Sequence, residues 1–535
     1  MKIALAQINP IVGDIEGNYQ KIVAYIRKAR DKKSDIVVFP ELALCGYPPE
    51  DLLFKKAFLD RTKQFLVKLK RESSGITVIA GYAEDCDGVT YNSAAVLADC
   101  KKVAVYRKRM LPNYSVFDEK RYFHSGDEAL IIDQGGCKIC LSICEDIWQD
   151  DGYFRAVAAV EPFSILINLS ASPYNHGKLK QREKTIADHA RRLGVSLVYC
   201  NIVGGQDELV FDGGSLVADS KGRIPLHASR FEEDLLIYDT GKKYVSLKIK
   251  EDRLVDSYNA LCMGIRDYMH KNGFAKVIIG LSGGIDSALV ATLAVKALGR
   301  KNVLGVTMPS VYTSSETFDD ALKLAENLGI KCFVIPIKDM IDNFSQKMDK
   351  YIRGGDRWSQ LAYQNMQARM RGNILMTLSN KYGYLVLNTG NKSEVSVGYC
   401  TLYGDMVGGF SVLKDVYKTK VFKLSKYINK RAGYPLIPYS IISRPPSAEL
   451  KDDQKDEDEL LPYNTLDKIL KLYIEKDYSL AQIVEEGFCK DEVKFVIRKV
   501  DVNEYKRRQA PPGIRITQKA FGKDRRVPIT NRFKY

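Results

Sequence analysis

Short apolar runs with a period of two dominate the first 240 residues. "KIALAQI", "DIVVFP", "ITVIAGYAE", "SAAVLAD", "KVAVYRK", "KICLSIC", "SILINLS", "LVYCNIVGG", "GSLVAD" and "DLLIYDT" each read as a β-strand, and helical patterns intervene at 18–33 and 51–71. Many strands with few helices, apolar on both faces, predict sheets packed together with helices outside. From about residue 251 the rhythm changes. "AKVIIGLS" leads into a helix over 286–298, "VLGVTMPS" into one over 316–328, "CFVIPI" is followed by a helical stretch near 359–381, and "YLVLNTG" closes the series. Strand alternating with helix predicts a parallel, doubly wound sheet. The fold class is therefore α/β, with a boundary in "GKKYVSLKIKEDRLV" at 241–255 and domains over 1–245 and 246–535. A chain of 535 residues is too long for one ordinary core, which agrees with two domains.

Composition narrows the class without naming a function. With 45% hydrophobic and 27% charged residues the chain is of the soluble globular type, and no run is long and apolar enough to span a bilayer. The opening "MKIALAQINPIVGD" turns polar after a few residues, as a first strand does and a signal peptide does not. Eleven cysteines in no framework spacing imply a reduced, cytoplasmic compartment. "CKIC" at 137–140 has no second pair or nearby His, so no zinc site is expected there. A net charge of +15 favours anionic partners, and much of it sits in "EYKRRQ" and "KAFGKDRRVPITNRFKY". Nucleic acid, a phosphate-rich nucleotide or a merely solvated tail would all suit it. The acidic run "KDDQKDEDE" at 451–459 reads as a solvated loop.

Three N-terminal strands end on reactive groups: "DIVVFPE" on Glu41, "KVAVYRK" on Lys108 and "KICLSIC" on Cys144. Singly, each is as well explained by ordinary packing or surface exposure. "EDIW" after Cys144 reads as a helix start, which places the thiol at a sharp strand-to-helix turn. A helix N-terminus and a neighbouring ammonium would both favour the thiolate. A carboxylate beside it could act as general base, and Lys108 could stabilise an oxyanion.

The order of "FPELALCGYPPEDLL", "YRKRMLPNYSVFDEKRYF", "ICEDIW" and "NLSASPYNHGKLKQRE" resembles the nitrilase, or carbon–nitrogen hydrolase, superfamily over most of residues 1–240. The resemblance implies an αββα sandwich and a catalytic Glu41–Lys108–Cys144 triad. In such enzymes a thiolate attacks an amide carbon, ammonia leaves and water releases the acyl-enzyme. It also implies glutamine contacts from Tyr114, Ser172 and Lys178, with Ser170 a second candidate for the hydroxyl.

In "VIIGLSGGIDSALV" an apolar strand enters a Gly-Ser loop that opens a helix. Gly283 and Gly284 permit close approach of backbone amides to an anion, and Ser282 and Ser287 add hydroxyl donors. Asp286 would repel a bare phosphate, and a magnesium ion between them removes the conflict. The loop resembles that of N-type ATP pyrophosphatases, which cleave ATP between the α- and β-phosphates. "NMQARMRGNILM" (365–376), "NTGNKSEVSVGYCTLYGDMVGGFSVLKDVYKTKV" (388–421), "SRPPSAEL" (443–450) and "EYKRRQAPPG" (504–513) resemble NAD synthetases.

Both halves together resemble the glutamine-dependent NAD synthetase family. That family makes NAD, glutamate, AMP and diphosphate from deamido-NAD, glutamine, ATP and water. The resemblance implies ATP contacts from Gly280, Leu281, Ser282, Gly283, Gly284, Ile285, Asp286, Ser287, Thr389 and Lys418. Asn365, Glu394 and Lys506 are implied for deamido-NAD, and Asp286 with Glu394 for Mg2+. Arg369 and Arg371 lie two apart in a helix and cannot share a face, so at least one is expected to be structural and neither is counted as a site residue. Leu402 stands near where the smaller ammonia-dependent enzymes carry a Lys, a departure that bears on the dinucleotide contacts. The family further implies a homo-oligomer whose partners are small molecules, not nucleic acid or membrane. Three rivals fit part of the pattern: an amidotransferase with another acceptor, a hydrolase with a regulatory nucleotide domain, and an RNA-modifying enzyme. AMP production that depends on deamido-NAD separates them from the family reading.

Overall fold

The computed structural model describes residues 1–149, 152–246, 249, 251–351, 359–451 and 454–533; part of the 241–255 connector and of the acidic run lies outside them. The chain forms two compact units, Met1–Arg253 and Leu254–Tyr535.

In the first unit the strands are β1 (Lys2–Gln7), β2 (Ile36–Val38), β3 (Thr77–Cys86), β4 (Val89–Ala98), β5 (Lys101–Arg107), β6 (Ile131–Gln134), β7 (Cys137–Ile143), β8 (Ile165–Ser170), β9 (Ser196–Asn201), β10 (Val203–Gln206), β11 (Leu209–Asp212), β12 (Leu216–Ala218), β13 (Leu226–His227) and β14 (Asp234–Asp239). They form two six-stranded sheets, ordered β14-β1-β2-β3-β4-β5 and β13-β12-β9-β8-β7-β6, with β10 and β11 as a separate hairpin. The centre of each sheet is parallel, as in β1-β2-β3 and β7-β8-β9, and antiparallel strands flank it. Alternation decides the layers. Leu5, Val38, Ile79, Leu141, Ile143, Ile167 and Val198 meet between the sheets. The opposite faces take helices: α1 (Ile15–Asp31) and α2 (Lys56–Arg71) bury Ile22, Ile26, Phe65 and Leu69 against Ala4, Val37 and Val78. On the far side α3 (Tyr153–Val160) and α4 (Lys178–Leu193) bury Phe154, Ile186 and Ala190 against Leu166, Leu197 and Leu216. This is the αββα sandwich. The strands β6, β11 and β13 were not among the runs read from the sequence.

The second unit carries five parallel strands, β15 (Val277–Gly280), β16 (Val303–Thr307), β17 (Lys331–Val334), β18 (Leu385–Asn388) and β19 (Phe410–Ser411), in the order β17-β16-β15-β18-β19. The helices are α5 (Arg253–Lys271), α6 (Ile285–Leu298), α7 (Ser315–Leu328), α8 (Lys338–Asp349), α9 (Gln360–Tyr382), α10 (Lys392–Val397) and α11 (Lys418–Ala432), and further short helices follow from Tyr439 to Arg507. The start of α7 is encoded locally: Ser314 accepts from Thr317 N–H at 3.2 Å. The helix α6 is apolar all round, with Ala288, Leu289, Val290, Ala291 and Leu293 fully buried, because it lies in the interior. The chain leaves β15 toward β16 and later returns to its other side as β18. The order therefore reverses between β15 and β18, where doubly wound sheets open a crevice. Among the described residues no helix is long and apolar enough to cross a membrane.

Candidate active sites

In the first unit, Glu41 follows β2, Lys108 follows β5, Cys144 follows β7 and Ala171 follows β8, so the sandwich brings four strand ends together. Lys108 Nζ donates to Glu41 Oε1 at 2.7 Å and to both Glu119 oxygens at 2.9 and 2.8 Å. The Lys108 and Glu41 side chains are 0% exposed, so no bulk water screens them. Burial would discharge the ammonium, but Glu119 and Glu41 hold it well above the usual lysine range. Burial pushes Glu119 up to about 7, against Lys108 and aided by Glu41. Tyr47 OH donates to Glu119 at 3.0 Å. Asn92 Nδ2 donates to Glu41 Oε1 at 2.8 Å, and Ala171 N–H to Oε2 at 2.9 Å.

Cys144 is buried with φ 41°, a left-handed backbone that costs about 1–3 kcal/mol in a residue with a side chain. Asp146 over-determines that turn. Its buried carboxylate accepts from Ile143 N–H (2.8 Å), Met110 N–H (2.8 Å), Arg109 N–H (3.1 Å) and Tyr106 OH (2.8 Å). The turn that carries the sulfur is thereby pinned to the segment after Lys108. Two expectations change here. The helix after Cys144 is a single 3-10 turn, Cys144–Ile147, too short for a developed macrodipole. Burial, followed by Glu41, pushes the thiol well above its ordinary range, and Lys108 only opposes this. Burial therefore works against the thiolate, whereas the Lys108 ammonium and the Ala171 N–H favour it.

Tyr114 OH donates to both oxygens of Glu145 at 3.0 Å, and the Lys178 ammonium lies 3.6 Å over the Trp148 ring and acts electrostatically on Glu145. Burial raises the Glu145 carboxyl. Ser172 is buried; its N–H donates to Asn201 Oδ1 at 2.9 Å, whereas Ser170 Oγ is spent on Asn168 Oδ1 at 2.7 Å. Sequence reasoning missed Glu119, Glu145, Asp146 and Asn92. A usable signal existed only for Asn92, an amide inside the apolar strand "YNSAAVLA".

In the second unit all ten residues from the 280–287 loop, Thr389 and Lys418 line one cavity of about 310 Å³ at the β15/β18 crevice. Gly283 has φ +76°, and a Cβ there would stand 2.2 Å from Thr317 O, so only glycine fits. Hydroxyls organise the loop: Ser282 Oγ lies 3.1 Å from Ser287 Oγ and accepts from Gly284 N–H at 3.2 Å. Lys418 Nζ donates to Asp286 Oδ2 at 2.6 Å and to Glu394 Oε1 at 2.9 Å. Its ammonium is thus shared by the two carboxylates expected to hold a metal. Asn391 caps α10, accepts from Glu394 N–H at 3.0 Å and donates to Asp286 Oδ1 at 3.0 Å. Burial pushes Glu394 up to about 8, with Lys418 opposing and Asp286 adding.

Other expectations shift. Asn365 and Lys506 are not on this cavity's wall. Asn365 Oδ1 accepts from Thr401 Oγ1 at 2.7 Å, and Lys506 Nζ donates to Gly398 O and Cys400 O at 2.8 Å each. Both therefore brace the loop after α10. Arg369 and Arg371 diverge as the helix requires, Arg369 Nε to Leu402 O (3.1 Å) and Arg371 Nε to Met308 O (3.0 Å). Arg371 lies on the cavity wall, where burial lowers its guanidinium to about 10. The acidic run is not simply solvated: Asp456 is buried, lines the cavity and accepts from Tyr463 OH at 2.8 Å.

Residues 2–247 match the family model for carbon–nitrogen hydrolases and residues 257–510 that for NAD synthases. The chain is 44% identical over 576 residues to glutamine-dependent NAD(+) synthetase of Thermotoga maritima, covering 100% of this chain and 99% of that one. It is 45% identical over 536 residues to that of Acinetobacter baylyi, covering 99% and 98%. A solved glutamine-dependent NAD+ synthetase from Acinetobacter baumannii superposes with a TM-score of 0.80 at 43% identity, over 99% and 98% of the two chains. With both halves matched in order along its whole length, the chain belongs to the glutamine-dependent NAD(+) synthetases, carbon–nitrogen ligases that hydrolyse glutamine and use ATP to convert deamido-NAD to NAD.

Proposed function

We propose that glutamine is hydrolysed at Cys144 and deamido-NAD is amidated at the 280–287 cavity. The observation that carries the first assignment is the buried Glu41–Lys108–Glu119 cluster beside a strained, pinned cysteine. The thiol proton passes to Glu41 as sulfur attacks the δ-amide carbon, and the Lys108 ammonium stabilises the oxyanion. Glu41 returns the proton to the leaving nitrogen, releasing ammonia. Water then attacks the thioester, Glu41 takes its proton and passes it to the Cys144 sulfur as the C–S bond breaks, and glutamate departs. Glu145, held by Tyr114, suits the α-ammonium of the substrate, and Lys178 and Ser172 suit its α-carboxylate.

In the second unit the loop amides, Ser282 and Ser287 cradle ATP phosphates, and Thr389 lines the same cleft. The relative from Acinetobacter baumannii was solved with adenosine diphosphate, which supports an adenine nucleotide here. Among the described residues no three metal-ligating side chains converge, yet Asp286 and Glu394 share one cation, Lys418. Two hard carboxylates suit Mg2+, and Asp286 and Glu394 are the residues that would hold it. When bound, Mg2+ would offset phosphate charge as the nicotinate carboxylate displaces pyrophosphate. Lys418 would stay between the carboxylates and the phosphates. Asn365 and Lys506 serve deamido-NAD through the loop they brace. We read the enzyme as a cytoplasmic homo-oligomer, supported by its unpaired cysteines and by its family.

The test is one assay: ATP, magnesium and glutamine with and without deamido-NAD, measuring AMP and NAD. Both products should require deamido-NAD. AMP formed at the same rate without it would refute the acceptor.

A further inference from the structure

Asn92 has no part in the chemistry above, yet it touches two members of the triad. It lies fully buried in β4. Its Nδ2 donates to Glu41 Oε1 at 2.8 Å, the oxygen that also accepts from Lys108 Nζ at 2.7 Å. Its backbone carbonyl accepts from Lys108 N–H at 2.8 Å. The other carboxylate oxygen, Oε2, accepts only from Ala171 N–H at 2.9 Å among the described residues, and that N–H also faces the Cys144 sulfur. Asn92 Oδ1 is buried with no partner among the described residues. A buried orphan acceptor is costly, and an apolar side chain would avoid it. What the amide supplies to the site is therefore its nitrogen.

We infer that Asn92 is a positioning residue that divides the two oxygens of Glu41 between different tasks. Oε1, loaded by Lys108 and Asn92, is the anchored end. Oε2 is the end that takes the proton from Cys144 Sγ and returns it to the departing nitrogen as ammonia. This rests on the reading of Cys144 as nucleophile and Glu41 as base. The charged and titratable groups facing Glu41 are the Lys108 ammonium, the Glu119 carboxyl, the Cys144 thiol and the Tyr47 phenol. Asn92 adds a neutral donor, so its loss disfavours the ionised carboxylate without adding or removing a charge.

The experiment measures kcat and KM for glutamine hydrolysis from pH 5 to 9 in the full chain, for the wild type, Asn92→Ala and the isosteric Asn92→Asp. Synthesis from ammonium salts reports that each variant is folded. The acid limb of kcat/KM should rise by about one pH unit in Asn92→Ala, the worth of one charge-assisted hydrogen bond, and further in Asn92→Asp, where a second carboxyl adds like charge beside Glu41. KM should stay within about twofold, the change falling on kcat. A lowered kcat with an unmoved acid limb overturns the inference. Loss of ammonia-dependent synthesis in both variants also overturns it, because the residue is then structural. Failure of the underlying reading looks different: Cys144→Ala would still hydrolyse glutamine.

Discussion

At the residue scale the surroundings of Cys144 favour its thiol over the thiolate. Burial and Glu41 raise the thiol while Lys108 opposes them. A group raised in this way is protonated below its shifted value, so alkylation of Cys144 by iodoacetamide should climb with pH and show no plateau by about pH 9. Lys108→Met removes the opposing charge and should slow alkylation at pH 7 about tenfold, one pH unit of further shift. Glutamine hydrolysis in the same variant should fall by about a thousandfold, the worth of an oxyanion partner. Faster alkylation in Lys108→Met would contradict the electrostatic account.

At the element scale, short segments carry the geometry. The β15–α6 turn depends on Gly283, whose missing Cβ admits Thr317 O from α7. Gly283→Ala should destabilise the second unit by about 1–3 kcal/mol and abolish ammonia-dependent synthesis while glutaminase survives. Thermal unfolding followed with both assays checks it. The helix α10 is similarly constrained. Lys392, fully buried, pairs with Asp415 (2.7 Å) and Glu475 (3.3 Å) and donates to Thr517 Oγ1 (2.7 Å) and Lys519 O (2.9 Å). That cluster ties the C-terminal segment beneath the helix that presents Asn391 and Glu394. Lys392→Met would leave the buried Asp415 carboxylate without its cation, though not without donors, and should cost about 3–5 kcal/mol, read as a lowered Tm of the second unit. An unchanged Tm would mean that water already reaches the cluster.

At the scale of the whole molecule the two activities should separate. Cys144→Ala should abolish synthesis from glutamine and leave synthesis from ammonium salts. Asp286→Ala should do the reverse, keeping glutamine hydrolysis and losing ligation. Free ammonia in water is largely protonated, so labelled ammonium should compete poorly with glutamine nitrogen for the product amide. Efficient dilution of the glutamine label would exclude protected delivery. The positive charge also reads differently once folded. Arg515 pairs with Asp524 at 2.5 Å, Lys519 with Asp477 at 2.5 Å, and Arg507 with Glu504 at 2.9 Å. Arg507 and Arg515 are thus buried in ion pairs within the second unit, whereas Arg508, Lys523, Arg526 and Arg532 stay exposed.

From sequence alone the two α/β halves were legible because hydrophobic periodicity is a local property. Period two gave the sandwich strands, and the βαβ rhythm gave the parallel sheet. Strand ends followed by Glu41, Lys108 and Cys144, and a glycine loop opening a helix, were equally local and pointed to the two candidate sites. What only the tertiary structure decided are the relations between distant segments. Glu119 meets Lys108 because of the loop after β5, and Asn92 meets Glu41 because β2 and β4 flank β3. Protonation follows the same division: the thiol of Cys144 and the ammonium of Lys108 are set by burial and by charges brought from other strands. Desolvation depends on the summed packing of many segments, and no local pattern of residues encodes it.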